Sequence, residues 1–286
     1  MYKTLSPGAI GVRVSNLTEA LAAAKIGGFE GVEFNPAEIA DLVAKQGTNS
    51  VRDQFEEASI KPAGFGLPFD WRGSEEVWNA GLKALPRLAK AAGEIGGGRT
   101  MTWIMPCSDT LEMAANFEFH VERLKPAADI LADFGCAFGL EFIGPLTLYK
   151  LHQYPFVRKM EEMSGLAKAV GTNAGLLLDC WHWHTTEGTV DELLALEPAQ
   201  IVYVHVNEAP ANVKMHEYVD NVRGLPGSTG VIDIVGFLQS LQKIGYEGPV
   251  TPEPFEKSLA ELPSDEARLK AVGESMTKIF RVAEIS

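Results

Sequence analysis

The sequence predicts a (β/α)₈ barrel that occupies the whole chain, residues 1–286, as a single domain. Short apolar runs of strand length alternate with longer stretches of helical periodicity from one end to the other. No linker, low-complexity segment or change of composition divides the chain, and barrels of this kind commonly have this length. No glycine-rich phosphate-binding fingerprint follows the first predicted strand, which disfavours a doubly wound sheet.

The individual elements follow from these patterns. The eight strands are expected at 9–14, 31–35, 62–67, 99–104, 137–143, 175–179, 201–207 and 249–255. Asn16 is expected to cap the first helix, and Gly47 to interrupt the helical stretch 37–58. Later helices are expected at 75–95, 109–134 (opened by a capping box at 109–112), 155–170, 190–196, 232–244 and from 264 onward.

Composition restricts the class of partner. The net charge of −13 disfavours nucleic acid, since binding to a phosphate backbone requires a basic surface. No apolar run approaches the roughly 20 residues that a bilayer-spanning helix needs, and no signal peptide is apparent. Three scattered cysteines indicate no disulfide framework. A cytoplasmic protein without a membrane or nucleic-acid partner is therefore expected.

Four predicted strands end in side chains that can bind a metal ion. Strands five to eight place Glu141, Asp179, His205 and Glu253 near their carboxyl ends, where the active sites of such barrels are built. Three carboxylates so close together would raise one another's pKa values unless a cation were bound. Three oxygen donors and one nitrogen donor suit Mn²⁺, Mg²⁺ or Co²⁺ better than a structural zinc. Separate capping or salt-bridging roles for the four residues are the alternative.

Several motifs at the strand tips also carry a resemblance to a known family. They are Glu141 followed by Pro145, Leu178-Asp179-x-x-His182, the tip residue His205, and the segments 223–233 and 245–253. These motifs resemble those of the xylose isomerase-like sugar isomerase and epimerase TIM barrels, which include ketose 3-epimerases, hydroxypyruvate isomerase and inosose dehydratase. The resemblance covers nearly the whole chain and is strongest from residue 139 onward.

The resemblance implies roles for individual residues. In the epimerases, the residues that match Glu141, Asp179, His205 and Glu253 hold Mn²⁺ or a similar ion. Those that match Glu141 and Glu253 flank the reacting carbon and exchange its proton. Those that match His182 and Arg223 contact substrate oxygens. A small carbohydrate substrate follows, with Mn²⁺ as the first choice of cofactor and Mg²⁺, Co²⁺ or Zn²⁺ as alternatives. Such barrels often form homo-oligomers.

The implied chemistry is physically reasonable. A proton on carbon next to a ketone is weakly acidic, and its removal gives an enediolate whose charge a Lewis-acidic cation would stabilise. A carboxylate on each face could remove and return that proton. The ketose 3-epimerases usually carry a second glutamate shortly after the first, where this chain has Gly144, Pro145 and Thr147. This departure argues against a free-ketohexose 3-epimerase.

Further residues near the strand tips are candidates for contacts. Trp103 is expected to contact the substrate, with core packing as the alternative, and Glu33 likewise, with loop capping as the alternative. Trp71 could either line the pocket or pack in the core. The cluster 181–184 could furnish an aromatic wall for a sugar, although packing is favoured for His184 and Cys180. Asn207 and Glu208 are expected to orient His205, and His120 and His152 to lie on the surface or in helices.

The leading functional hypothesis is therefore a divalent-metal-dependent isomerase or epimerase of a small sugar, keto-sugar or sugar acid. The same intermediate can lose a β-hydroxyl, so a metal-dependent lyase or dehydratase acting on a keto-sugar or keto-inositol is the alternative. A non-catalytic sugar-binding barrel is a third reading. An abasic-site endonuclease is disfavoured, because its zinc cluster needs more histidines than the six present and its DNA groove must be basic.

Overall fold

Eight parallel strands close into a barrel, and helices connect them around its outside. The computed structural model describes residues 1–285 of the chain. The predicted (β/α)₈ fold is confirmed. None of the helices within the described residues has both the length and the apolar character needed to cross a membrane.

The strands and their order in the barrel determine which side chains meet. In chain order they are β1 (Tyr2–Leu5), β2 (Gly31–Glu33), β3 (Lys61–Gly66), β4 (Arg99–Ile104), β5 (Cys107–Ser108), β6 (Ala137–Phe142), β7 (Tyr154–Pro155), β8 (Ala174–Asp179), β9 (Ile201–Val206) and β10 (Pro249–Pro252). The barrel order is β1-β10-β9-β8-β6-β4-β3-β2, and β5 pairs separately with β7 in antiparallel fashion. The register places Asp179 opposite His205 and Trp103 opposite Glu141.

Most of the helices lie where they were expected to within two residues, but the short helices at 146–149 and 180–185 were not expected. They are α1 (Leu17–Gly27), α2 (Pro36–Gln46), α3 (Thr48–Ala58), α4 (Glu75–Glu94), α5 (Met113–Asp133), α6 (Leu146–Tyr149), α7 (Met160–Val170), α8 (Cys180–Thr185), α9 (Val190–Leu194), α10 (Ile234–Ile244) and α11 (Asp265–Val282). Asn16 caps α1 as expected, since its side chain accepts from the backbone N–H of Glu19. Gly47 separates α2 from α3.

The prediction for the first strand is wrong. The strand is β1 at residues 2–5, and the apolar run at 9–14 begins with a 3-10 turn, Gly8–Ile10, followed by Gly11 at φ 72°. Ile10 and Val12 belong to this loop, and their side chains are buried, which accounts for their apolar character without a strand. Burial gives a loop and a strand the same apolar signal, and only pairing with β2 and β10 distinguishes them.

The expected start of the long helix α5 is also wrong. Asp109 is no cap, since its carboxylate lies 2.8 Å from Nδ1 of His152, and the helix begins at Met113. Pro155 belongs to the two-stranded sheet of β5 and β7 and not to a helix, and α7 also starts late, at residue 160. His120 does lie in α5, but it is buried and stacks on Phe156.

We expect Gly273→Ala to lower the free energy of unfolding by about 3 kcal/mol, because overpacking forces two helices apart. A Cβ at residue 273 of α11 would lie 1.8 Å from the carbonyl oxygen of Gly27 at the end of α1. Urea denaturation measures the change. Gly165→Ala in α7 is the matched control, since its Cβ would meet nothing within 4 Å, and it should stabilise the protein by roughly 0.5–1 kcal/mol. Equal effects of the two substitutions would contradict this account of the α1–α11 contact.

Candidate metal and substrate site

Four side chains converge at the carboxyl ends of the barrel strands. Glu141 comes from β6, Asp179 from the last position of β8, His205 from β9, and Glu253 from the residue after β10. One ligand atom from each lies within 4.8 Å of the others. Nδ1 of His205 is 3.5 Å from a carboxylate oxygen of Glu141 and 3.5 Å from one of Glu253. The four strand-tip residues grouped from the sequence therefore lie together in space.

The donor set of this cluster fits a divalent cation. Oε1 of Glu141 and Nδ1 of His205 are buried and have no hydrogen-bond partner within residues 1–285. Buried polar atoms almost always have a partner, so two facing atoms without one indicate a position for an additional group. Oxygen donors with a single imidazole nitrogen are typical of sites for Mn²⁺ and similar ions. Residues 141, 179, 205 and 253 could hold such an ion.

The electrostatics of the cluster reflect its burial. Burial, with a smaller contribution from the neighbouring Glu253, raises the pKa of Glu141 to about 7, although His205 acts in the opposite direction. Burial also raises the pKa of Asp179. For Glu253, burial acts in the same direction, but His205 and Arg223 outweigh it and lower the pKa. The two glutamates thus differ in proton affinity although they flank one imidazole.

Arg223 supplies the counter-charge for the acidic side chains. Its buried guanidinium donates from Nη1 to Asp179 (2.8 Å) and to Glu253 (2.9 Å), and from Nη2 to Asp220 (3.0 Å). Burial alone would lower the pKa of Arg223, but these carboxylates outweigh it and raise the pKa. The arginine therefore stays charged, and its donors are already engaged by three acidic residues.

His182 faces the same cluster with a neutral ring. Its buried Nδ1 accepts a hydrogen bond from the backbone N–H of Gly144 at 3.0 Å. Burial, together with the charge of Arg223, holds the pKa of His182 well below its usual value, so the ring is neutral. Nε2 lies 3.3 Å from Nη2 of Arg223, which can only donate, and 3.8 Å from carboxylate oxygens of both Glu141 and Asp179. The ring thus lies beside both the guanidinium and the carboxylates of the cluster.

Gly144 is required at its position because neighbouring atoms leave no room for a Cβ, and not because of its backbone dihedral angles. A Cβ there would lie 2.6 Å from the carbonyl oxygen of His182 and 2.2 Å from Oγ1 of Thr185. A longer side chain at this point, after β6, would push away the turn that carries His182. This contact gives a physical reason for one of the departures from the epimerase pattern noted in the sequence.

The expected role of Asn207 and Glu208 in orienting His205 is wrong. Nδ2 of Asn207 donates to both carboxylate oxygens of Asp179, at 2.9 and 3.2 Å, because β9 lies beside β8. The buried carboxylate of Glu208 accepts from three backbone N–H groups, those of Ala209, Gly230 and Ile232. Glu208 therefore fixes the two ends of the long loop that carries Arg223.

The tryptophans after β8 form no sugar-binding wall. α8 begins directly after Asp179, and this turn buries Trp181 against Tyr218 and Trp183 against Phe237. The half-buried His184 also packs edge-on against Tyr218, as the packing alternative expected. Cys180 is fully buried, again as expected.

A cavity of about 620 Å³ opens above the cluster, and Trp103 lines it. The indole of Trp103 is 47% exposed, whereas Trp71 is fully buried and donates to Oγ1 of Thr102. Glu33 is absent from the lining; its carboxylate accepts from the hydroxyls of Ser6 and Tyr203. The structure thus brings Trp103 to the cavity with Glu141, Arg223 and Glu253, while Glu33 is engaged with hydroxyl groups nearby.

Sequence reasoning missed several residues of the cavity, and two of them contact Arg223. Asp220 lies three residues before Arg223 and accepts from it, and Phe255 lies two residues after Glu253 with the Arg223 guanidinium 4.9 Å from its ring centroid. Both line the cavity. Their only sequence signal was nearness to a residue already singled out, which does not reveal the direction of a side chain.

Comparisons with known proteins agree with this fold. A family model for the xylose isomerase-like TIM barrel matches residues 20–279. An inosose isomerase from Halalkalibacterium halodurans is 28% identical over 148 residues, which are 51% of this chain and 49% of that protein. The chain thus aligns with about half the length of the curated relatives it matches.

Solved structures resemble the whole chain. A xylose isomerase domain protein from Alicyclobacillus acidocaldarius superimposes with a TM-score of 0.84 at 28% identity, covering 99% of both chains. The IOLI protein, whose crystal structure contains a zinc atom, superimposes with a TM-score of 0.77 at 20% identity, again covering 99% of both chains. The second likeness concerns the fold alone.

We expect Arg223→Met to lower the free energy of unfolding by about 3–5 kcal/mol in the presence of EDTA, because Asp179 and Glu253 would remain buried without a counter-charge. Chemical denaturation at neutral pH measures the loss. Arg87→Met is the matched control: Arg87 pairs with Asp41 on the surface, where both side chains are more than half exposed, and should contribute no more than about 1 kcal/mol. A loss for Arg223→Met no larger than that of the control would contradict the role of counter-ion.

Proposed function

Because the chain belongs to the xylose isomerase-like TIM barrel family, we propose that it is a divalent-metal-dependent isomerase or epimerase of a small sugar or keto-sugar. One observation carries the proposal. Glu141 and Glu253 each place a carboxylate oxygen 3.5 Å from the same nitrogen of His205, at the inner end of a cavity. Two carboxylates on either side of one position are what proton exchange at carbon requires.

The two glutamates would remove and return the proton. Glu253 is kept ionised by His205 and Arg223, which lower its pKa, and is suited to accept a proton. Glu141 places a second carboxylate beside the same nitrogen of His205 and is suited to exchange the proton in the same way. Since each carboxylate reaches the position from a different strand, a proton taken on one side can be returned on the other. The result is epimerisation, or isomerisation when the proton returns to a neighbouring carbon.

The proposed cofactor is a divalent cation, with Mn²⁺ first, held by Glu141, Asp179, His205 and Glu253. When bound, it would act as a Lewis acid towards the oxygens next to the reacting carbon. The related IOLI structure contains a zinc atom, which supports a divalent ion in a barrel of this fold. Arg223 and His182, which the resemblance assigns to substrate contacts, lie beside this cluster; a bound cation would compensate Asp179 and Glu253 in place of Arg223 and so release its donors for substrate oxygens.

The charge of the cavity favours an uncharged substrate. Among the described residues that line it, Arg223 is the one cationic side chain, and its donors are engaged by Asp179, Glu253 and Asp220. A phosphate or carboxylate group would thus meet the Asp220 carboxylate without a free counter-charge. We therefore favour an uncharged sugar or keto-sugar over a sugar phosphate or sugar acid.

Solvent deuterium uptake tests the reaction. With added Mn²⁺, the protein is expected to incorporate deuterium into at least one keto-sugar of a panel that includes ketohexoses, ketopentoses and keto-inositols. Glu141→Gln and Glu253→Gln should each lower the exchange rate by about 10²–10⁴-fold, the usual contribution of a general acid or base. Glu274→Gln, an exposed residue of α11, is the control and should have no effect.

Two other outcomes would replace the proposal. A dehydrated or eliminated product would identify the protein as a lyase or dehydratase on the same site. If the protein catalyses neither exchange nor elimination with any member of the panel, the remaining interpretation is a sugar-binding barrel without catalysis.

Metal binding is expected to depend on Asp179 and on pH. Mn²⁺ should raise the melting temperature in a saturable manner, because it binds the folded state alone. Glu141 must lose its proton to bind the ion, and burial raises its pKa to about 7. His205 must also lose its proton; burial lowers its pKa, but Glu253 and Glu141 outweigh this effect and raise the pKa well above the ordinary value. The affinity should therefore fall as the pH is lowered, by up to about a hundredfold per pH unit where both groups are protonated. Isothermal titration calorimetry measures the affinity, and an unchanged affinity in Asp179→Asn, with Glu274→Gln as control, would disprove the site.

A further inference from the structure

Arg72 lies between two tryptophan rings near the mouth of the cavity. Its guanidinium carbon is 4.0 Å from the ring centroid of Trp71 and 4.0 Å from that of Trp103. Nη2 also donates a hydrogen bond to the backbone carbonyl of Trp103. Burial lowers the pKa of Arg72 to about 10, and Asp70 only partly offsets this effect. The π faces of the two indoles thus compensate a cation that is largely removed from water.

The three residues form a stack with one fixed end and one free end. Trp71 is fully buried, and its indole N–H donates to Thr102, so its ring is fixed. Trp103 forms the other end, half-exposed and lining the cavity. Within residues 1–285 its side chain has no hydrogen bond to another protein group, so contact with the guanidinium is what holds the ring. The orientation of this cavity wall therefore depends on Arg72.

We propose that Arg72 is a positioning residue that holds the indole of Trp103 as a fixed wall of the cavity, against which the substrate packs. This inference rests on the proposed function, since it assigns a substrate to the cavity. Trp103 lies opposite Glu141 in the strand register, so a wall at this point acts on a sugar bound above the carboxylates. Because the indole ring is already fixed before the substrate binds, binding does not lose the entropy that ordering this side chain would cost.

Direct contact between Arg72 and the substrate does not fit the geometry. The guanidinium carbon lies 4.0 Å from each of the two indole ring centroids, and one edge of the group is engaged by the carbonyl of Trp103. Arg72 is also absent from the residues that line the cavity, whereas Trp103 is among them. An effect of Arg72 on the reaction must therefore pass through Trp103.

A double-mutant cycle tests this route. Arg72→Met should raise KM by roughly 2- to 30-fold, the range that the loss of one cation–π contact allows, and leave kcat nearly unchanged. Arg72→Lys should restore part of the effect. In a Trp103→Ala background, Arg72→Met should change KM no further, because the ring it positions is gone. Independent, multiplicative effects of Arg72→Met and Trp103→Ala on KM would overturn the proposal.

Arg123→Met is the matched control. Arg123 also stacks on a tryptophan, at 4.8 Å from the ring centroid of Trp78, and is ion-paired with Glu75. Neither Trp78 nor Arg123 lines the cavity. The control should therefore lower thermal stability without changing KM. A KM shift in Arg123→Met equal to that in Arg72→Met would mean that the effect is general destabilisation.

A measurement without substrate separates this inference from the proposed function. The five tryptophans can be labelled with 5-fluorotryptophan, and the ¹⁹F resonance of Trp103 assigned by its loss in Trp103→Phe. Arg72→Met should shift and broaden this resonance, as the ring gains freedom, while Arg123→Met affects only that of Trp78. An unchanged Trp103 resonance in Arg72→Met would overturn the proposal, whether or not the protein turns over any sugar.

Discussion

Burial of three carboxylates at one rim of the barrel is the constraint on which the rest of the site depends. Glu141, Asp179 and Glu253 come from separate strands, and closure of the barrel places them around His205. Like charges so close together in a buried place are costly unless cations compensate them. Arg223 and the imidazole supply part of this compensation, and a divalent ion would supply the remainder.

The surrounding residues serve this constraint by fixing the charged groups. Asn207 donates to both oxygens of Asp179, and Asp220 accepts from Arg223 on its outer side. Glu208 clamps the ends of the loop that carries both Asp220 and Arg223. Each of these contacts limits how far a charged group can move, which is what a metal ion and a proton-transfer reaction both require.

The outer part of the cavity has a different character from its floor. Aromatic rings form opposite parts of the wall, and an arginine stacks on each of them: Arg72 on Trp103 and Arg223 on Phe255. Both cations are thereby engaged, so the wall presents rings and not free charge. A polar floor below an aromatic wall suits a sugar, which has hydroxyl groups at its edges and apolar faces on its ring.

The sequence by itself determined the barrel and four of the residues that meet at its rim. Polar residues at the end of a buried strand indicate a functional site, and the strands of a parallel barrel bring their carboxyl ends together. Glu141, Asp179, His205 and Glu253 could therefore be grouped without coordinates. The tertiary structure decided what pattern alone does not contain. It moved the first strand from 9–14 to β1, because burial of Ile10 and Val12 gives a loop the same signal as a strand. It turned Asn207 towards Asp179 and buried Trp181, because the direction of a side chain is set by neighbouring strands and helices distant in sequence.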